Sequence, residues 1–537
     1  MQATMKRILL LLLIPVLATS CKQEFLERTP VVGATEANFY KTPEDALSAT
    51  IACYNTLQQE VTNIQGSSGL KPHFRWYFGD VCSDDTDKGG SGDGDDPQLY
   101  DYERFQGNSA GQMLLVEWQV AYRGIAYCNL ALQKIPEIDM DADVRDAYLG
   151  EARFIRAYWY FTMVTTFGGV PLVTTPLASS EYQQPRASAD EIWALIKDDL
   201  AFAIEFLPQR SEYSLNELGR ATRGAAQGLM AKTNAYLGEW EACYQVSADL
   251  VSEGEYSFDE YGNIFTELGE NGPGSIWEIQ YMNASGGNWG QQLEGTFTNV
   301  FQRARGQFNG YGFNLPTQDL VDAFEVGDPR LQLTLFQVGD VMGDRGTFTL
   351  DATGMPHLYY PRKNFNNAAE EAPFGDPNPN GHTNDRVIRL ADVMLFHAEA
   401  CINTGRIEEA NVAVNAIRDR ARGETWCAGT PEGAAPCASL PLYGGPHFPP
   451  AGGQPVINPD VTLEDIWHER RVELALEGHR FFDLARQGRA ASVMQAHLSD
   501  HFPNAGYTFT EGVNELFPIP SNEITLSGGL ITQNPGY

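Results

Sequence analysis

Between Glu469 and Asp483 the chain gathers Glu469, Arg470, Arg471, Glu473, Glu477, His479, Arg480 and Asp483, a set of side chains that could move protons. Their spacing argues for another use. Arg470 with Glu473 and Arg480 with Asp483 stand three residues apart, so each can close an ion pair on a helix surface while Phe481, Phe482 and Leu484 pack beneath. Ion-pair networks imitate active sites, and this one is read as ordering the scaffold. His468 opens an H-E-x-x-H pattern, but Val472 occupies the place of the second histidine, so a zinc-protease motif fails. No phosphate-cradling G-x-x-x-x-G-K-[ST] loop occurs, and no serine nucleophile elbow is expected. Paired carboxylates for glycoside hydrolysis carry no fixed spacing, so a hydrolase or lyase stays open as the alternative.

Two other groups bear on binding. Asp84, Asp85 and Asp87 begin the acidic loop SDDTDKGGSGDGDD, whose oxygens suit calcium, although the spacing is not that of an EF-hand and a solvated loop is the preferred reading. Aromatic residues beside amides, carboxylates and guanidinium groups fit sugar rings, which present apolar faces edged by hydroxyls. Arg75, Trp76, Tyr77 and Asp80 form one such cluster. Tyr281, Asn288, Trp289, Phe308 and Tyr311 form the other, among glycines that would expose an aromatic platform. These residues are the candidate ligand site, even though most single aromatics serve the core.

The elements that must position them are mainly helical. Apolar and small residues recur at helical spacing over Pro43 to Leu57, Leu114 to Ile135, Val144 to Phe167, Ala189 to Leu207 and Thr222 to Leu237. A break at Gly238 precedes a second helix from Trp240, and Val387 to Ala421 repeats that design around Thr404-Gly405. Both read as helix-turn-helix repeat units of tetratricopeptide type. Residues 252–382 and 424–459 change texture, with Gly, Asn, Pro and aromatics and short strand-like runs at Ser275 to Met282 and Gly346 to Leu350. The predicted fold is therefore mainly α, a helical-repeat scaffold (about 35–250, 386–423 and 460–500) with an irregular loop-rich lobe carrying short β-hairpins (about 251–385 and 424–459).

A net charge of -33 over 537 residues argues against nucleic acid as a partner and favours neutral sugars or peptides over polyanions. Lys6 and Arg7, an apolar run from Ile8 to Leu17, and Ala18-Thr19-Ser20 before Cys21 read as a lipoprotein signal peptide (residues 1–20) with Cys21 as the lipidated residue. The single remaining domain (21–537) would be anchored to a membrane without spanning it. Of the other cysteines, Cys53, Cys128, Cys243 and Cys401 read as small core residues, Cys82 has no assigned partner, and Cys427 with Cys437 could bridge a loop.

Four segments then resemble signature regions of the SusD/RagB family of nutrient-binding outer-membrane lipoproteins of Bacteroidetes. They are EARFIRAYWYFTMVTTFGGVPL from Glu151, VIRLADVMLFHAEACINTGRIEEANVAVNAIRDRAR from Val387, LEDIWHERRVELALEGHRFFDLARQGR from Leu463, and LFPIPSNEITLSGGLITQNPGY from Leu516. The lead CKQEFLERTP also looks like the family's start and suggests surface display. The resemblance implies a tetratricopeptide-like scaffold that acts as a lid on a TonB-dependent SusC-like transporter and hands it a glycan; catalysis is not implied, and no cofactor is expected beyond the calcium considered for the acidic loop. Peptide-binding members of the same family keep a peptide ligand open.

Overall fold

The computed structural model describes residues 39–58, 61–63, 70–72, 75–282, 294–306, 308–350, 357–373, 381–423, 443–444, 446–447, 456–457 and 459–537. Helix α1 (Pro43–Asn55) is started by Thr42, whose hydroxyl accepts from the Asp45 amide while Asp45 reaches back to Thr42. A short α2 (Pro97–Glu103) leads to the long α3 (Gln112–Lys134) and α4 (Ala142–Phe167), which pack side by side. Helix α5 (Ala189–Phe206), closed at its start by the Ser188–Glu191 capping box, packs on α4 and on α6 (Arg223–Tyr236). Next come α7 (Trp240–Ser252), α8 (Leu390–Asn403) and α9 (Ile407–Arg422), with α7 lying against α8 although some 140 residues separate them.

The two expected helix-turn-helix units are present, and the same device ends the first helix of each. Past α6 the amide of Gly238 bonds Ala235 and that of Glu239 bonds Asn234; past α8, Gly405 bonds Ile402 and Arg406 bonds Cys401. This double closure needs a left-handed residue, and Gly238 (φ 67°) and Gly405 (φ 79°) supply it. One boundary shifts. Val387 does not begin a helix, because Asp385–Arg389 is a strand whose Val387 and Ile388 are buried; it pairs antiparallel with Ser275–Ile279 and runs straight into α8.

The lobe is built from two-stranded pieces. The strands that matter for the site are, in chain order, β1 (Thr86–Gly89), β2 (Ser275–Ile279), β3 (Phe313–Pro316), β4 (Leu335–Gln337), β5 (Tyr359–Pro361) and β6 (Asp385–Arg389). The pairs β1–β3, β2–β6 and β4–β5 are antiparallel. Gly346 to Leu350 contributes only an isolated bridge at Thr347, not a strand. The C-terminal part returns to helix in α10 (Leu463–Glu473), α11 (Arg480–Arg486) and α12 (Ala490–His501).

Buried arginines tie these parts together. Glu473 on α10 accepts from Arg389 of β6, Arg420 of α9 and Arg330 of the lobe, and Glu469 accepts from Arg330 at 2.6 Å and Arg418 at 2.7 Å. The 469–483 cluster thus orders the scaffold, but its pairs are long-range. Arg470 meets Asp483 and Asp392, and Arg480 meets Asp84, instead of the partners three residues away. The reason is exposure: Arg470 and Glu473 are buried, so their charges must be matched by other elements and not on a solvated helix face.

Cys53, Cys128, Cys243 and Cys401 are free buried thiols, as core packing predicts, and Cys82 is a free buried thiol as well; Cys427 and Cys437 lie outside the described residues. Among the described residues no helix is long and apolar enough to cross a membrane. The segment with Cys21 lies outside them.

Candidate functional site

Two distant stretches of chain meet at one cleft. Arg75 and Trp76 precede a π-helical turn (Tyr77–Val81), and Tyr281 follows β2; together they line a narrow recess, open to solvent, with a cavity volume of about 50 Å³. Its wall also carries Thr296, Asn364, Thr383, Asp385 and Glu477, while Tyr158 and Trp159 of α4 close the scaffold side. The recess therefore combines aromatic surface with hydroxyl, amide, carboxylate and guanidinium groups.

Electrostatics fix its polar groups. Arg75 donates through Nη1 to Asp385 at 2.9 Å and through Nη2 to the Glu477 carbonyl at 2.8 Å. Burial opposes its charge, but Asp385, Tyr158, Asp80 and Glu477 outweigh that and hold Arg75 above the ordinary arginine range. Burial would likewise raise Glu477, yet Arg389 and Lys363 win, so its carboxylate is held below the usual range. Tyr281 takes its place through a bond from its amide to Asn384 Oδ1 at 2.8 Å.

The sequence-predicted residues separate into groups. Arg75, Trp76 and Tyr281 line the cleft. Trp76 is only 5% exposed, so it offers a bound molecule a small part of its ring and not an open platform. Tyr77 and Asp80 lie in the core: Tyr77 packs edge-on to Trp76 at 4.4 Å, and Asp80 accepts from the Gly478 amide at 2.9 Å and is pushed up to about 7 by burial. Phe308 belongs to a separate apolar cluster with Leu315, Phe336 and Tyr360, and Tyr311 packs edge-on to Phe301 at 5.3 Å. Asn288 and Trp289 lie outside the described residues.

The start of the acidic loop is not the solvated segment the sequence suggests. Asp84 and Asp85 are buried and engage Arg480 and Arg471, whereas Asp87 turns to His501 at 3.6 Å, so the three aspartates do not converge. Gly107-Asn108-Ser109-Ala110-Gly111 does spell G-x-S-x-G, contrary to expectation. It joins α2 to α3, with no strand entering it, so the strand-to-helix elbow that exposes a nucleophile is not formed.

Sequence reasoning missed Tyr158, Trp159, Asn364, Thr383, Asp385 and Glu477 as cleft residues. Tyr158 and Trp159 fit a core helix pattern and Glu477 an ion-pair cluster, so pattern alone gave them other roles; nothing local distinguishes Asn364 or Thr383.

Helical-repeat scaffold and lobe together define a protein that holds a recessed polar and aromatic pocket between its two parts. Residues 273–537 match the model of the SusD family and residues 84–237 match one described as starch-binding and associating with the outer membrane; the chain belongs to the SusD family. SusD-like protein P38 of Formosa agariphila is 27% identical over 500 residues, covering 88% of this chain and 90% of that one. Among solved structures, a laminarin binding SusD-like protein is 28% identical with a TM-score of 0.74, covering 93% of this chain and 100% of that one. Surface glycan-binding protein A from Bacteroides fluxus is 25% identical with the same TM-score and the same coverage.

Proposed function

We propose that this protein captures an oligosaccharide without transforming it, in the cleft lined by Arg75, Trp76 and Tyr281, and passes it to a TonB-dependent transporter of SusC type. Cys21 carries the lipid that holds it on the outer face of the outer membrane. The observation that carries the reading is the meeting of Arg75, Trp76 and Tyr281, 205 residues apart in the chain from Trp76 to Tyr281, at one recess edged by Thr296, Asn364 and Asp385. Such a surface matches a sugar's apolar face and its ring of hydroxyls. Similarity along nearly the whole chain to a laminarin binding SusD-like protein supports the class and makes β-glucan oligosaccharides the first ligands to try. Asn288 and Trp289 follow Tyr281 in the chain and stay in the assignment.

One observation favours a second reading, a glycoside hydrolase: two carboxylates, Asp385 and Glu477, stand on the cleft wall. Hydrolysis needs one of a pair protonated to serve the leaving oxygen. Glu477 is pinned as a carboxylate by Arg389 and Lys363, and Asp385 accepts from Arg75, an arrangement suited to structure and binding rather than proton transfer. A soluble form lacking residues 1–21, titrated with laminarin oligosaccharides, other neutral glycans, uronic-acid glycans and peptides, tests the proposal when products are assayed in the same samples. Saturable binding of an intact glycan supports it. Shortened sugars make the protein an enzyme, and exclusive binding of peptides moves it to the peptide-binding class.

A further inference from the structure

On α12, His497 and His501 are four residues apart and so stand on one helix face, their rings stacked with centroids 4.2 Å apart. Across from them Asp87 projects from β1, with its Oδ1 3.6 Å from His501 Nε2. One ligating atom from each of the three lies within 4.8 Å of the others. His497 is 6% exposed, and its Nε2 has no hydrogen-bond partner. A buried imidazole nitrogen without a partner is costly, and stacking two histidines gains little by itself. A divalent ion would resolve both.

We infer that Asp87, His497 and His501 form a site for a transition-metal ion of zinc type, joining β1 to α12. Two imidazoles and one carboxylate are a donor set for zinc or nickel, not for calcium, which takes oxygen ligands. Neighbouring ligand atoms on a tetrahedral zinc ion stand about 3.3 Å apart, given bonds of about 2.0–2.2 Å. The Asp87–His501 separation is already close to that, and the partly exposed Asp87 and His501 can rotate inward. The three residues leave a fourth position to water.

The charges around the site are balanced. Asp84 and Asp319 face His497 as negative groups and Arg471 as a positive one, and Arg471 is itself bound to Asp84, Asp85 and Asp319. The ion would fasten the acidic loop to α12 through residues that do not line the cleft, independently of any glycan.

Calorimetry of the metal-stripped soluble protein with zinc and with nickel, and metal analysis after dialysis, test this site. The expected result is one ion per chain, with an EDTA-reversible rise in melting temperature of about 2 °C or more at saturating metal. His501→Ala and Asp87→Asn, both at partly exposed positions and each checked for folding by its metal-free melting temperature, should each weaken binding at least tenfold and remove the rise. His497→Ala is the less telling variant because that ring is buried. Absence of stoichiometric binding, or binding unchanged in both His501→Ala and Asp87→Asn, overturns the site.

Discussion

Arg480 grips Asp84 with two parallel hydrogen bonds, Nε to Oδ1 and Nη2 to Oδ2, each 2.8 Å long and spanning 396 residues of chain. Both groups are buried, so this fork fastens the start of the acidic loop to α11. Arg480→Ala leaves the Asp84 carboxylate with only Arg471 and should cost about 3–5 kcal/mol, read from urea unfolding. Arg480→Lys keeps the charge but loses the fork, and should fall between the two.

Two buried carboxyls pull stability in opposite directions with pH. Burial would raise Asp483, but Arg470 and Arg486 outweigh it and bring it down to about 2. Its stabilisation is full above the unfolded value of about 3.9 and is lost as the pH falls through the folded value. Asp80 is the reverse: burial pushes it up to about 7, so the folded state holds a proton that the unfolded state releases, and stability falls as pH rises from about 4 to about 7. Melting scans should show this falling limb in the wild type and a flatter one in Asp80→Asn.

Gly79 and Gly478 touch backbone to backbone. A Cβ at position 79 would lie 2.1 Å from the Gly478 carbonyl oxygen, where no side chain can give way. Gly79→Ala should therefore destabilise by about 3 kcal/mol or more and widen the cleft floor between Arg75 and Glu477. The check is thermal unfolding together with ligand titration.

Periodicity made the scaffold legible, because small and apolar residues on α6–α9 recur every turn and the glycines at 238 and 405 mark the caps. Val387 departs from the helical pattern for a physical reason: Val387 and Ile388 are apolar enough for a buried helix, and only pairing with β2 makes them strand. The ion pairs show the same limit. Arg470–Glu473 and Arg480–Asp483 satisfy local spacing, but burial sends each arginine to a carboxylate elsewhere. At the cleft, composition found Arg75, Trp76 and Tyr281, while Asp385 and Glu477 reach it only through tertiary packing.

Trp76 should separate folding from binding poorly, since it is nearly enclosed: Trp76→Ala should cost about 3–5 kcal/mol of stability as well as affinity. Asn364→Ala, on the cleft wall, should lower affinity with little change in melting temperature, as judged by calorimetry beside thermal unfolding.

The most direct test is calorimetric titration of the oligosaccharide selected by the binding panel into wild type, Tyr281→Ala and Tyr311→Ala, with each variant shown to fold by thermal unfolding because Tyr281 is only 8% exposed, and with the sugar recovered afterwards. Capture in the cleft predicts about tenfold or greater weakening in Tyr281→Ala, unchanged affinity in Tyr311→Ala, and sugar recovered intact. Equal affinity in wild type and Tyr281→Ala, or recovery of shortened sugar, would contradict it.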